Sequence, residues 1–359
     1  MRIGILTGGG DAPGLNAVIR AAAKTLFAHG VEVLGFKDGY RGLIEQDWIP
    51  IDKPAISGLL HRGGTILGTN NRDNPFHYPI VTEEGEKEYR DVSDTLLQNL
   101  HHLQLDCLIA IGGDGTLSIA RELVGKGACI VGVPKTIDND LAATDRTFGF
   151  DTAVTTATEA LDKLHTTAES HHRVMVLEVM GRYAGWIALW SGIAGGADVI
   201  LIPEIPWDLD KVVAKIRSRR EEGKMFSIIV VAEGTPDPAG KRVVRETIKD
   251  SGDPVRLGGI GQVIGSLVEK ATGIETRVTV LGHIQRGGSP TSYDRVLATR
   301  FGVAAAELAL KRKAGYMVAL RGLIITAVPI AQAIKRPSHV PPDGQLVQAA
   351  RAIGISFGD

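Results

Sequence analysis

Short apolar, β-branched runs recur along this chain, and a longer run with helical spacing of its apolar residues follows most of them. That alternation constrains the fold more than any other feature, because a strand followed by a covering helix returns parallel to its predecessor through a right-handed crossover. The first strand-like run ends at Thr7, and Val31–Phe36, Leu105–Ile111 and Ala128–Val133 continue the series. A second series holds Arg173–Val179, Ala197–Ile202, Ser227–Glu233 and Glu275–Leu281. Helical runs lie between them at Leu15–Ala28, Glu84–Leu103, Asp151–Ser170 (capped by Asp151), Asp208–Glu222 and Leu257–Ala271. Two series imply an α/β protein of two doubly wound parallel-sheet, Rossmann-like lobes, with the active site in the cleft between them.

Composition removes several alternatives. With 44% hydrophobic and 23% charged residues, the 359-residue chain can bury a full core without staples. A formal net charge of −1 argues against a general nucleic-acid or lipid-surface role. No apolar run reaches the roughly 18 residues of a bilayer span, and the N-terminus enters a strand directly, so a cytoplasmic protein without a signal peptide is expected. Cys107 and Cys129 sit in apolar runs without metal spacing and are expected as reduced core thiols.

The polar residues gather where strands end. After Thr7 comes Gly8-Gly9-Gly10-Asp11-Ala12-Pro13-Gly14, a glycine-rich turn opening a helix, where backbone N–H groups can approach an anion. It does not fit the dinucleotide spacing, and the chain contains no P-loop motif. Gly112-Gly113-Asp114-Gly115-Thr116 removes side chains where a polyphosphate must lie close and offers one carboxylate for Mg²⁺, with Thr116 as a helix N-cap or phosphate contact. Pro134-Lys135-Thr136-Ile137-Asp138-Asn139-Asp140 sets two carboxylates at i and i+2 beside a hydroxyl. In the second series, Met180-Gly181-Arg182, Glu233 and Gly282-His283-Ile284-Gln285-Arg286 follow strands; with Arg173 and Arg277 they suggest a basic nest for a phosphorylated anion.

These blocks, with Glu178 to Gly185 and Leu281 to Gly288 in the same order, resemble the 6-phosphofructokinase A family from residue 1 to about residue 330. The resemblance implies a discontinuous first lobe, residues 1–149 with 285–335, that binds ATP and Mg²⁺, and a second lobe, 150–284 with 336–359, that binds fructose 6-phosphate. It implies Asp138 as general base of near-normal pKa, Thr136 and Asp140 as orienting groups, and Arg182 on the transition-state charge. Gly10, Gly113, Asp114, Gly115 and Thr116 would line the donor with Asp114 on the metal, and Arg72 would contact it, two residues later than the family places its arginine. Thr136, Ile137, Asp138, Met180, Gly181, Arg182, Glu233, His283, Ile284, Gln285 and Arg286 would form the sugar-phosphate site. Arg173 and Arg277 would come from a neighbouring subunit of a homodimer or homotetramer. The donor signature is mixed: pyrophosphate-using members carry Asp where this chain has Gly115, and lysine where it has Lys135. An open, uncharged Gly115 favours ATP, with pyrophosphate as the alternative.

Overall fold

A strand buried on both faces needs helices on both sides, and both series of apolar runs find them. The computed structural model describes residues 1–81, 85–247 and 255–359. The first series runs β1 (Arg2–Thr7), α1 (Leu15–Ala28), β2 (Glu32–Phe36), α2 (Tyr40–Ile44), β3 (Trp48–Ile51), β4 (Tyr78–Val81), β5 (Lys87–Arg90), α3 (Ser93–His102), β6 (Cys107–Gly112), α4 (Asp114–Gly125) and β7 (Ile130–Pro134). The second runs α5 (Phe150–His171), β8 (Val174–Val179), α6 (Trp186–Ala194), β9 (Val199–Leu201), α7 (Leu209–Glu221), β10 (Ser227–Ala232), β11 (Val244–Thr247), β12 (Val255–Leu257), α8 (Ile260–Thr272) and β13 (Thr276–Val280). A 3₁₀ helix, Gly282–Arg286, leads to α9 (Ser292–Leu310), β14 (Tyr316–Arg321), β15 (Ile324–Pro329), α10 (Ile330–Ala333) and α11 (Gln345–Ala352).

Among the described residues, seven strands form a sheet in the order β15-β14-β7-β6-β1-β2-β3 and four form a second in the order β13-β8-β10-β9. The four-stranded sheet is parallel throughout. The larger sheet is parallel from β14 to β2 and carries an antiparallel strand on each edge. The expected α/β class with parallel cores is present; it gains edge strands at β3 (Trp48–Ile51) and β15 (Ile324–Pro329), which are largely apolar in sequence but partly exposed. Each sheet has an apolar core on both faces. No helix among the described residues is long and apolar enough to cross a membrane.

Helix α9 brings the chain back from the second sheet to the first. It lies so close to α1 that a Cβ at Gly302 would come within 2.6 Å of the Val18 carbonyl oxygen. At its other end the Asp294 carboxylate accepts from the Thr152 N–H (2.8 Å) in the first turn of α5. That contact corrects the expected cap. Gly149 (φ 93°) precedes α5 without a capping side chain, and Asp151 accepts instead from the Thr291 hydroxyl (2.6 Å). Helix α3 is also shorter than expected, since β5 occupies part of its span; Glu84, its expected first residue, lies outside the described residues.

Candidate active site

The chain leaves β1 toward β2 on one side, whereas β6 lies against β1 on the other. Loops from the carboxyl ends of two such strands diverge and leave a crevice between them. Gly8–Gly14 and Gly113–Thr116 border it, and its inner wall is made by leaving side chains out. A Cβ at Gly8 or Gly112 would come within 2.6 or 2.3 Å of the Thr116 side chain, so both glycines are required for Thr116 to sit buried behind them. On the outer side a Cβ at Gly115 would meet nothing within 4 Å. Asp114 is exposed as the first residue of α4, and the N-cap is Gly113; Thr116 is inside the helix, which corrects its expected capping role. The Thr69 hydroxyl donates to Gly9 O (2.5 Å) and the Gly9 N–H to Asn70 O (3.0 Å), clipping the next loop to the glycine turn. Arg72 projects exposed from that clip.

Strand β7 delivers the acidic turn to the same end of the sheet. Lys135, 4% exposed, donates its Nζ to Gly10 O across the crevice. Burial, then repulsion from Arg286, lowers its pKa to about 8. Asn139 takes a left-handed conformation (φ 53°), its Oδ1 accepts the Thr147 N–H (2.9 Å), and the Thr147 hydroxyl donates to Thr136 O (2.7 Å). Two hydrogen bonds thereby close the turn. Ile137, 1% exposed, packs with Phe150 and Met180 in a core of the four-stranded sheet, so the turn is anchored in the structure facing it. Its side chain is therefore an anchor in that core.

Asp138 carries the strongest electrostatic signal of the turn. Its Oδ1 is buried with no hydrogen-bond partner among the described residues. Burial first, then the nearby Asp140 carboxylate, pushes its pKa up to about 7, which corrects the near-normal value expected. Asp140 is raised too, by burial and by Asp114. A buried acceptor without a donor is costly. A hydroxyl brought against Oδ1 as donor would satisfy it.

The four-stranded sheet supplies the opposing groups. Strands β8 and β10 end side by side, with the Gly234 N–H donating to Gly181 O (3.0 Å). A Cβ at Gly234 would come within 2.1 Å of Arg182 O, so these two ends approach through backbone alone. Burial, then Glu178, pushes Glu233 up to about 7, while Arg286 and Arg182 pull it down. Arg286 donates to Asp11 O (3.2 Å) and lies against Gly10, where a Cβ would come within 2.8 Å of it. One guanidinium thus ties the second sheet's exit loop to the first sheet's glycine turn.

Lys135, Asp138, Glu233, Arg182 and Arg286 are brought together electrostatically, along with Asp11 of the glycine turn, for which the sequence alone suggests no role. His283 is exposed beside them in sequence. Gln285 is fully buried; its amide accepts from the Met180 N–H (2.7 Å) and donates to Ala153 O (3.4 Å), so it holds the Met180 loop. Ile284 turns its side chain outward, 67% exposed. Arg173 and Arg277 correct the single nest. Both lie at the amino ends of their strands and pair with Glu275, whereas Arg182 and Arg286 follow the carboxyl ends. A six-residue strand such as β8 separates the two ends by roughly 17 Å.

The phosphofructokinase family model matches residues 2–309. The whole chain is 55% identical to ATP-dependent 6-phosphofructokinase 2 of Clostridium perfringens and spans 98% of that protein. It is 50% identical to the pyrophosphate–fructose 6-phosphate 1-phosphotransferase of Streptomyces coelicolor, covering 100% of both chains. Among solved structures it matches Pichia pastoris phosphofructokinase in the T-state at a TM-score of 0.80 and 30% identity, over 100% of this chain and 37% of the longer Pichia chain. The glycine-walled crevice, the acidic turn and the basic loops opposite all fall inside the matched span, and with full-length relatives at this identity the chain belongs to the phosphofructokinase family.

Proposed function

We propose that this protein is an ATP-dependent 6-phosphofructokinase, moving the terminal phosphoryl group of ATP to the 1-hydroxyl of D-fructose 6-phosphate to give fructose 1,6-bisphosphate and ADP, a step of glycolysis. The observation that carries the reading is the unpartnered Oδ1 of Asp138 in a turn that also holds Thr136 and Asp140, within electrostatic reach of Arg286 from the other sheet's exit loop. A carboxylate with a pKa of about 7 takes the hydroxyl proton as the phosphoryl group arrives, and gives it up readily afterwards. Arg182 stabilises the charge that spreads over the transferring oxygens. Thr136 orients the phosphoryl group, Glu233 accepts from sugar hydroxyls, Met180 and Gly181 bound the sugar, and His283 with Arg286 takes the 6-phosphate.

Asp114 and Asp140 suit Mg²⁺. They are hard-oxygen ligands close enough for Asp114 to raise Asp140, and Mg²⁺ is commonly held by one or two carboxylates with substrate phosphates completing its shell. When bound, the ion neutralises charge on the donor phosphates. Gly10, Gly113, Gly115 and Thr116 leave room for those phosphates, and Arg72 reaches them from its clipped loop.

The lobes are read as 1–149 with 285–335 and 150–284 with 336–359. Arg173 and Arg277 lie too far from their own Arg182 to complete one site, which supports a homodimer or homotetramer with these arginines acting in a neighbour's site. Mixing inactive Asp138→Asn and Arg277→Ala proteins should then restore part of the turnover; no recovery after subunit exchange would remove the shared site.

Pyrophosphate as donor is the second reading, favoured by the buried Lys135 amine at the crevice and by the Streptomyces relative. Turnover measured with fructose 6-phosphate and each donor in the presence of Mg²⁺ decides it. ADP release with ATP is expected, and activity with pyrophosphate alone would overturn the ATP assignment.

A further inference from the structure

Outside the site, the two cysteines of the chain stand together. Leu108 pairs with Ile130 between the parallel strands β6 and β7, and the Leu108 N–H donates to Cys129 O (2.8 Å). One residue earlier on each chain segment are Cys107 and Cys129, whose sulfurs lie 3.0 Å apart as free thiols. Laterally paired residues on neighbouring strands are about 4.8 Å apart. This lies within the Cα separation of about 4.4 to 6.8 Å that a disulfide spans. Closure needs only a side-chain movement of about 1 Å, to a bond of about 2.0 Å.

We propose that Cys107 and Cys129 form an oxidative modification site, a dithiol that hydroperoxides convert into an intrachain disulfide joining β6 to β7. The two members differ in the way such a reaction requires. Cys107 is 2% exposed, whereas Cys129 is half-buried and open to a small oxidant. The contact with Cys107 draws the Cys129 thiol below its usual range against its partial burial, with the Arg312 guanidinium helping and the Asp106 carboxylate that it pairs with opposing. The same contact, and then burial, keep Cys107 protonated.

Cys129 as thiolate attacks one peroxide oxygen; the O–O bond breaks and the leaving oxygen departs with a proton as an alcohol or water, leaving a sulfenic acid. The Cys107 sulfur then attacks Sγ of Cys129; the S–S bond forms, the S–O bond breaks, and hydroxide leaves with the Cys107 proton as water. The two thiols together give two electrons to the peroxide. The linkage sits at the strand ends away from Gly112 and Pro134, so it is separate from the phosphoryl-transfer machinery.

The test exposes the native, fully reduced chain to hydrogen peroxide and follows free thiols and non-reducing peptide maps. Both thiols should disappear together, a Cys107–Cys129 cross-linked peptide should appear, and dithiothreitol should restore both. Cys107→Ser should leave a sulfenic acid on Cys129 that dimedone traps, and Cys129→Ser should leave Cys107 unmodified under the same exposure. Thiols that persist, a link between chains, or sulfinic acid at Cys129 without the cross-link would overturn the proposal.

Discussion

Two loops leave neighbouring parallel strands at the same end of one sheet, and they are built on opposite principles. The loop after β6, Gly113 to Thr116, makes room by omission: its glycines let a ligand approach backbone, and its one carboxylate, Asp114, stays in solvent. The turn after β7, Pro134 to Thr147, does the reverse and buries charge. Lys135 is buried and Asp138 and Asp140 are partly buried in a turn anchored at Ile137 and closed by two hydrogen bonds through Thr147, and this desolvation moves their pKa values toward neutrality. Space is sufficient where a polyphosphate has only to fit; a poised proton acceptor needs desolvation, which costs stability.

The largest test of that contrast is Asp138→Asn. Turnover should fall about a thousandfold, within the range for removing a general base, while KM for fructose 6-phosphate changes little. Stability should move the other way. Native Asp138 binds its proton more tightly than the unfolded chain does, so the native state loses stability as pH rises from 3.8 through about 7. The Asn variant should therefore melt higher than the parent at pH 8, with the gap closing toward pH 4. A lower Tm at pH 8 would mean that the carboxylate stabilises the turn.

Gly115→Asp probes the opposite principle, because the backbone has room for it. A carboxylate about 6 Å from a donor phosphate charge costs about 3 kcal/mol at an effective dielectric of about 20. ATP turnover should drop on the order of a hundredfold with Tm unchanged. Loss of folding would show that the outer side of the loop is not open.

Lys135 ranks next. Its amine, with a pKa of about 8, should be about one-tenth protonated at pH 9, so kcat/KM should fall about tenfold from its plateau there, with Asp138 setting an acid limb near 7. Lys135→Arg keeps its charge and should move the alkaline limb upward; an unmoved limb would assign it to another group.

Much of this arrangement was legible in the sequence, and what was missed has a physical reason. Helix α1 runs from Leu15 to Ala28 as its apolar spacing predicts, and the buried strands fall within two residues of their apolar runs. Edge strand β3 leads on to strand β4, β15 follows β14 through a tight turn, and β5 of the β4–β5 pair is mostly charged, so these strands stand outside the strand–helix alternation. Residue type and strand-end position singled out Lys135, Asp138, Glu233 and Arg286, which lie close enough to act on one another's charge. Position alone did not reveal that Ile137 and Gln285 turn their side chains inward, because burial depends on what packs against the turn. Arg173 and Arg277 were near strand ends, but at the amino ends, a distinction that strand direction in a parallel sheet makes available. The raised pKa of Asp138 needed burial, which no spacing of carboxylates reveals.

The smallest effect separates the two sides of the donor loop itself. A methyl group at Gly112 would come within 2.3 to 2.5 Å of three Thr116 side-chain atoms, in a place where both strands and the helix start are fixed, so Gly112→Ala should cost about 1 to 3 kcal/mol by overpacking. Gly115→Ala, three residues on with open space around it, should stay within about 0.5 kcal/mol of the parent. Urea unfolding of both variants measures the difference directly. Equal costs would mean that the glycines serve backbone conformation alone, and the idea of a crevice walled by Thr116 would have to be given up; a Gly112-specific cost is what Thr116 packed directly behind that glycine requires.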